Sequence, residues 1–326
     1  MYKVADLFAG VGGVALAFKN AGFSISWANE FDKDACKTYK TNFSHTLLEQ
    51  DIRSININQL PKIEVITAGF PCQPFSISGY RKGFEDKRGN LFFEILKFID
   101  FFKPKCVFLE NVKNLKTHDN GRTFKTIISE LCNRNYFSKS MVLNTCDYSD
   151  IPQNRERIYI VAFCDKKLAD NFSFPEKSNN LRNIESFFES NVEDKYYYYN
   201  SKYYEILKKE MNNKNTFYQW RRVYLRENKN GLCPTLTANM GTGGHNVPLI
   251  LDEKDIRKLT PRECFRLQGF PDSFILPDIS NSSLYKQAGN SVTIPVIKKI
   301  AYKILESLNY QKNSLNNETY NENTGF

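Results

Sequence analysis

The strongest chemical signal in the sequence is a cysteine between two prolines, Gly69-Phe70-Pro71-Cys72-Gln73-Pro74-Phe75-Ser76. An apolar strand candidate, Val65–Phe70, runs straight into this block. Pro71 and Pro74 each fix φ, so the thiol stands on a stiff loop. That loop leaves the carboxyl end of a strand, where open parallel sheets place their ligands. A fixed, accessible cysteine can attack an electrophile as its thiolate. The plain alternative is a buried core cysteine, and the flanking prolines argue against it. Glu110-Asn111-Val112 closes another apolar run, Val107-Phe108-Leu109, and strand neighbours would set this carboxylate beside the Cys72 loop. By itself Glu110 reads more readily as a strand-end acid pairing with a lysine such as Lys113. In Gln153-Asn154-Arg155-Glu156-Arg157, two arginines two apart on an extended segment point to one side. They suit a phosphate or a carboxylate, or are simply a charged strand start.

A second group has the chemistry of a nucleotide site. Asp6-Leu7-Phe8-Ala9-Gly10-Val11-Gly12-Gly13 ends the first strand candidate and opens the first helix. Its glycines allow a tight turn and close approach, and the helix start offers free N–H groups. The spacing is GxGG, not the dinucleotide GxGxxG. Glu30 ends the second strand 20 residues after Gly10, where an acid can hold ribose hydroxyls. Asp51 and Ile52 follow a third strand candidate and could serve adenine, the acid accepting from the amino group and the isoleucine packing on the ring. A structural turn followed by surface acids explains each feature equally well when taken alone.

The elements that must position these groups alternate. Strand candidates Val4–Ala9, Ser24–Asn29, Val65–Phe70, Cys106–Glu110, Met141–Thr145 and Ile158–Phe163 are separated by amphipathic stretches such as Val14–Ala21 and Leu91–Phe102. That rhythm predicts βαβ units in an α/β fold with a doubly wound, mostly parallel sheet; hairpin signals for an antiparallel rival are few. Residues 166–230 are polar and irregular, with Tyr196-Tyr197-Tyr198-Tyr199 and a helix near 201–211. Order returns at Lys258–Pro271 and in a helix over Pro295–Leu308. The division expected is therefore 1–165, an inserted 166–256, a return over 257–310, and a disordered Asn-rich tail over 311–326.

Composition sets the class. With 41% hydrophobic residues, 25% charged residues and no apolar run of membrane length, the chain reads as a soluble globular protein. An acid at position 6 argues against a signal peptide, so a cytoplasmic location is expected. The eight cysteines stand singly, with no CxxC pair and no clustered histidines, so no metal site is expected. A net charge of +9 points to a polyanionic partner without saying which.

The order of the blocks decides among these readings. DLFAGVGG, NEFD, the Asp51-Ile52 pair, GFPCQPFSISG, ENVKN, QNRERIY, LTPRECFRLQGFPD and GNSV all occur in that sequence. In this the chain resembles the bacterial cytosine-C5 DNA methyltransferases of restriction–modification systems, over roughly residues 3–163 and 257–305. The resemblance implies a Rossmann-like methyltransferase fold with a smaller, irregular target-recognition domain. It implies S-adenosylmethionine as cofactor, with S-adenosylhomocysteine as product. Duplex DNA would be the partner of a monomeric enzyme. Cys72 would attack C6 of a flipped-out cytosine, with Glu110 at N3, Arg157 at O2 and beside Glu110, and Arg155 supporting the same pocket. Phe8, Ala9, Gly10, Gly12, Gly13, Glu30, Phe31, Asp51, Ile52, Leu91, Asn290 and Ser291 would hold the cofactor, the last two only if the C-terminal segment returns to the first domain.

Gln73, Ser76 and Ser78 would lie on a catalytic loop closing over DNA, with Arg81, Lys82 and Arg88 as phosphate contacts. The stretch Tyr218–Arg226, with Arg221, Arg222 and Arg226, followed by Pro234-Thr235-Leu236, is the expected DNA-reading core. Thr235 there resembles the family's phosphate-contacting threonine. Gly241-Thr242-Gly243-Gly244 would be a loop hugging the duplex. The rivals are a tRNA cytosine-C5 methyltransferase of the same fold, which the long insert disfavours, and a catalytically dead DNA-binding regulator, which intact Cys72, Glu110 and Arg157 disfavour. An amino-methyltransferase would need a different loop where PCQ stands.

Overall fold

Neighbouring residues on the central strands face two different cores, which is why those strands read as unbroken apolar runs. Val65, Cys106 and Phe108 belong to one buried cluster, and Ile66, Val107 and Leu109 to the other. The computed structural model describes residues 1–71, 91–178, 180–221, 224–228, 230–242 and 247–322, with side chains to Tyr310. Its main sheet contains β1 (Lys3–Leu7), β2 (Ser24–Glu30), β3 (Thr46–Glu49), β4 (Val65–Gly69), β5 (Cys106–Val112), β6 (Phe137–Asn144) and β8 (Glu156–Phe163); the two-residue β7 (Gln153–Asn154) stands outside it. The order is β3-β2-β1-β4-β5-β8-β6. β1 to β5 pair in parallel, and β8 runs antiparallel between β5 and β6. The doubly wound, mostly parallel α/β sheet is therefore present, with one reversed strand.

The helices are α1 (Gly13–Asn20), α2 (Lys33–Asn42), α3 (Leu91–Phe102), α4 (Arg122–Cys132), α5 (Thr145–Tyr148), α6 (Lys166–Asn171), α7 (Tyr204–Glu210), α8 (Pro261–Arg266), α9 (Asn281–Asn290) and α10 (Ile294–Glu322). The apolar faces of α3 and α4 fill the second cluster, while α1 and the first half of α10 fill the first. Tyr2 donates to the carbonyl of Leu308 and Tyr302 to that of Asn20, tying the last helix to the first strand and helix. α8 starts with a capping box between Thr260 and Glu263 and Pro261 at its first turn.

Two elements differ from expectation. The backbone of α10 stays helical to Glu322, past Gln311 where an Asn-rich composition predicts lost order; a packed first half nucleates the helix, and each added residue then costs little. The insert also holds a second sheet that its polar composition hides: β10 (Tyr224–Glu227), β9 (Tyr218–Arg221), β12 (Leu249–Leu251) and β13 (Ile256–Lys258), in that order. Between them in the chain, β11 (Cys233–Pro234) pairs with β7. Leu207, Met211, Tyr218, Trp220, Leu249 and Ile256 form a small core beneath the second sheet. Among the described residues no helix is long and apolar enough to cross a membrane.

Candidate active site

Register in the sheet brings the predicted groups together. Gly69 on β4 lies directly opposite Glu110 on β5, so the strand that leads into Cys72 ends beside the carboxylate. Asn111 donates from its amide to the carbonyl of Phe70 at 2.8 Å, pinning the backbone two residues before Cys72. Cys72 itself lies outside the described residues, as do Gln73, Ser76, Ser78, Arg81, Lys82, Arg88, Arg222, Gly243 and Gly244.

Glu110 is buried, 8% exposed, and Arg157 Nε approaches its Oε1 at 3.1 Å. Burial pushes its carboxyl up, while Arg157 and then Arg155 pull it back. A carboxyl whose proton burial holds more tightly is suited to give a hydrogen to a ring nitrogen. Both arginines line the same cleft as Glu110. Arg155 plays a different part from Arg157: it is buried and donates to the carbonyls of Leu236, Gly289 and Ser291. It clamps two backbone segments, one at Leu236 and one at 289–291, and so acts as a positioning residue.

The cleft, about 460 Å³, opens at the carboxyl ends of β1, β2, β4 and β5. Its wall includes Phe8, Ala9, Gly10, Gly13, Glu30, Phe31, Leu91, Asn290 and Ser291, nine of the positions expected for the cofactor. Glu30 is fixed by three backbone donors: Gly10 N at 2.8 Å to one oxygen, and Phe31 N and Asp32 N, each at 2.8 Å, to the other. These donors take three of the carboxylate's four lone-pair sites and leave one, on the oxygen bonded by Gly10. Phe31 is 68% exposed at the rim and Phe8 adopts a positive φ of 56°. Ser291 Oγ and Gln287 Nε2 are buried without a protein partner, on two residues of the same wall. Buried polar atoms of that kind normally find a partner. The glycine block also packs tightly: a Cβ on Gly13 would stand 2.8 Å from Ser291 Oγ.

Three expected positions are elsewhere. Gly12 turns with φ 90° and faces the Phe43 ring, which a Cβ would meet at 2.3 Å, so it serves packing and not the cleft wall. Asp51 is engaged by Arg53, which holds its carboxyl below the ordinary value. Ile52 is buried in the cluster against which Phe8 packs. Neither lines the cleft.

Sequence reasoning missed the polar seam that closes the cleft's far side. Lys286 bonds Asp32 at 2.7 Å, Thr38 donates to Gln287 at 2.9 Å, and Ser283 donates to Asp34, all between α2 and α9. These residues are separated by some 250 positions and carry no local signal. It also missed Gln153, fully buried, whose amide donates to Leu267 O at 2.7 Å and whose oxygen accepts from Leu236 N.

A second, polar groove of about 710 Å³ adjoins through the Gln153–Arg157 segment. Asn154, Gln219, Arg221, Arg226, Thr235 and Asn239 are on its wall. Thr235 donates to Asn154 O at 2.6 Å, and β11 pairs with β7, so the Pro234-Thr235-Leu236 element is docked on the segment that carries Arg155 and Arg157. No group of three or more His, Cys, Asp or Glu that could hold a metal occurs among the described residues.

Comparison with known proteins agrees with this geometry. A family model described as C-5 cytosine-specific DNA methylase matches residues 2–306. The chain is 52% identical to type II methyltransferase M.Bsp6I of Bacillus sp. (strain RFL6), over 94% of this chain and 100% of that protein. It is 39% identical to type II methyltransferase M.HhaI of Haemophilus parahaemolyticus, over 95% of this chain and 96% of that one. Among solved structures, the S. pombe Dnmt2 methyltransferase superposes with a TM-score of 0.74 at 20% identity, covering 95% of this chain and 100% of that one, a likeness of fold.

Proposed function

The chain belongs to the C-5 cytosine-specific DNA methylase family and is a DNA (cytosine-5-)-methyltransferase of restriction–modification type, and we propose that it methylates a flipped-out cytosine in a short duplex sequence through a covalent Cys72 adduct. The observation that carries this reading is the buried Glu110, paired with Arg157 and set opposite Gly69 on the strand that runs into Cys72.

The cleft residues fit S-adenosylmethionine: Glu30 faces it with two ordered oxygens, and the unpartnered Ser291 Oγ and Gln287 Nε2 belong to its wall. When bound there it supplies a methyl group on a sulfonium. The remaining work falls to the chain's own groups. The Cys72 thiolate adds to C6 while Glu110 gives its proton to N3, and the ring's electrons move to C5, which becomes the nucleophile. Arg157 holds Glu110 and donates to O2. Once C5 carries the methyl group, a base removes the C5 proton, the S–C6 bond breaks and the N3 proton returns to Glu110. Attack on C6 comes from above the ring, which stacking forbids, so the base must leave the helix. Residues 1–165 and the return over 257–310 would carry the chemistry, and 166–256 the choice of site, on DNA in the cytoplasm.

Bisulfite sequencing of duplex DNA and of tRNA treated with the purified protein tests the reading. We expect 5-methylcytosine in duplex DNA at one short sequence, absent with Cys72→Ser. Modification confined to tRNA, or retained by the serine variant, would overturn it.

A further inference from the structure

The β9–β10 hairpin has one committed face. Tyr218 and Trp220 are buried in the small core and Leu225 packs against it, so these three point inward. Antiparallel pairing sets Arg226 opposite Gln219 and Tyr224 opposite Arg221. Residues directly opposite share a face, so Gln219, Arg221, Tyr224 and Arg226 share the outward one. Gln219, Arg221 and Arg226 are on the wall of the polar groove that adjoins the catalytic cleft.

Within that face, Arg221 Nη2 donates to Gln219 Oε1 at 3.0 Å. A guanidinium has donors only, so it can engage the amide only through the oxygen. The amide is thereby oriented, with its oxygen turned to Arg221 and its two N–H groups left to donate. A free glutamine reads adenine by using oxygen and nitrogen together, against the N6 amino group and N7. Here the N–H of the adenine amino group, partially positive, would have to share the oxygen with a cationic guanidinium. Guanine presents O6 and N7, both acceptors, to the major groove, which matches a face made of Gln219 N–H groups and two guanidinium forks.

We propose that the Gln219–Arg221 pair, with Arg226 beside it, makes the outward face of this hairpin a guanine-reading surface that rejects adenine beside the target cytosine. The inference rests on the proposed methylation of duplex cytosines and names the residues that choose the site. Arg221 acts twice, as a donor to the base and as the group that orients Gln219.

The test uses the full-length protein on duplexes in which a cytosine is flanked by random base pairs, with bisulfite sequencing of the products. Wild type should require guanine at one or more positions other than the partner of the target cytosine. Arg221→Met frees the amide and should admit adenine at such a position, lowering guanine-over-adenine discrimination by roughly tenfold or more. Gln219→Ala should lower it similarly without admitting adenine preferentially. Both changes lie on the outward face and leave Tyr218, Trp220 and Leu225 in place. A wild-type profile demanding only A·T pairs would overturn the proposal. So would variants that methylate every sequence more weakly with an unchanged base profile, which would make the face a phosphate clamp. No 5-methylcytosine from wild type on any duplex would instead bring down the functional reading beneath it.

Discussion

Gly289 sits in the last turn of α9 with the backbone of another segment against it. A Cβ there would stand 2.2 Å from both C and O of Thr237 and 2.5 Å from Ala238 N. Ordinary contact begins near 3.4 Å, so Gly289→Ala must push one segment away by more than an ångström. The atoms met are main chain and cannot swing aside. Two effects oppose each other. Alanine is favoured over glycine in a helix interior by about 1 kcal/mol, whereas overpacking costs about 1–3 kcal/mol. A backbone clash this deep belongs at the upper end, so the net loss should be about 2 kcal/mol. For a chain of this size that lowers Tm by roughly 3 °C. Function should suffer more than folding. Arg155 bonds Leu236 O on one side of the clash and Gly289 O and Ser291 O on the other, so the shift pulls its clamp apart and moves Thr235 in the groove. Thermal unfolding and methylation of duplex DNA should be measured side by side. A Tm at or above wild type, with unchanged turnover, would refute the packing argument.

Glu110→Gln should lower methyl transfer by ~10²–10⁴-fold with cofactor binding intact. Wild-type single-turnover rates should fall as pH rises through the raised Glu110 pKa, and the glutamine variant should lack that limb; the same limb in both would deny Glu110 the acid's role. Asp6 predicts a stability effect: it is fully buried, bonded to Thr67 at 2.6 Å, and burial pushes its carboxyl from 3.8 to about 7. The folded state thus holds the proton more tightly, so Asp6 contributes stability that is fully present below about pH 4 and is lost as pH rises to about 7, by on the order of 4 kcal/mol. Denaturant unfolding of Asp6→Asn should show a flatter pH dependence over that window, and an unaltered slope would contradict the assignment.

What was legible in the sequence was what short spacing encodes. The end of β4 at Gly69, Glu110 near the end of β5, the GxGG turn and the paired arginines of Gln153–Arg157 each announce themselves locally, and block order places them together. The place of Asp51 after a strand suits adenine, and the sequence does not show that Arg53, two residues on, engages it. The glycines of the GxGG block look alike in the sequence, and the Phe43 ring shows that Gly12 serves packing. The α2–α9 seam and the Gln153 bridge join distant segments, so no period or spacing could reveal them. The hairpin at 218–227 was hidden by its charge: Arg221 and Arg226 alternate with Trp220 and Leu225, but each strand has only four residues.

The covalent step is the central claim, and 5-fluorocytosine tests it most directly, because fluorine cannot leave C5 as a proton does. Duplex DNA carrying this base at the recognised position should be incubated with the protein and S-adenosylmethionine, denatured, and analysed by mass spectrometry. The account predicts one protein–DNA adduct on the peptide containing Cys72, absent without cofactor and absent with Cys72→Ser. An adduct on another residue, or full methylation of ordinary cytosine with no adduct trapped, would contradict it.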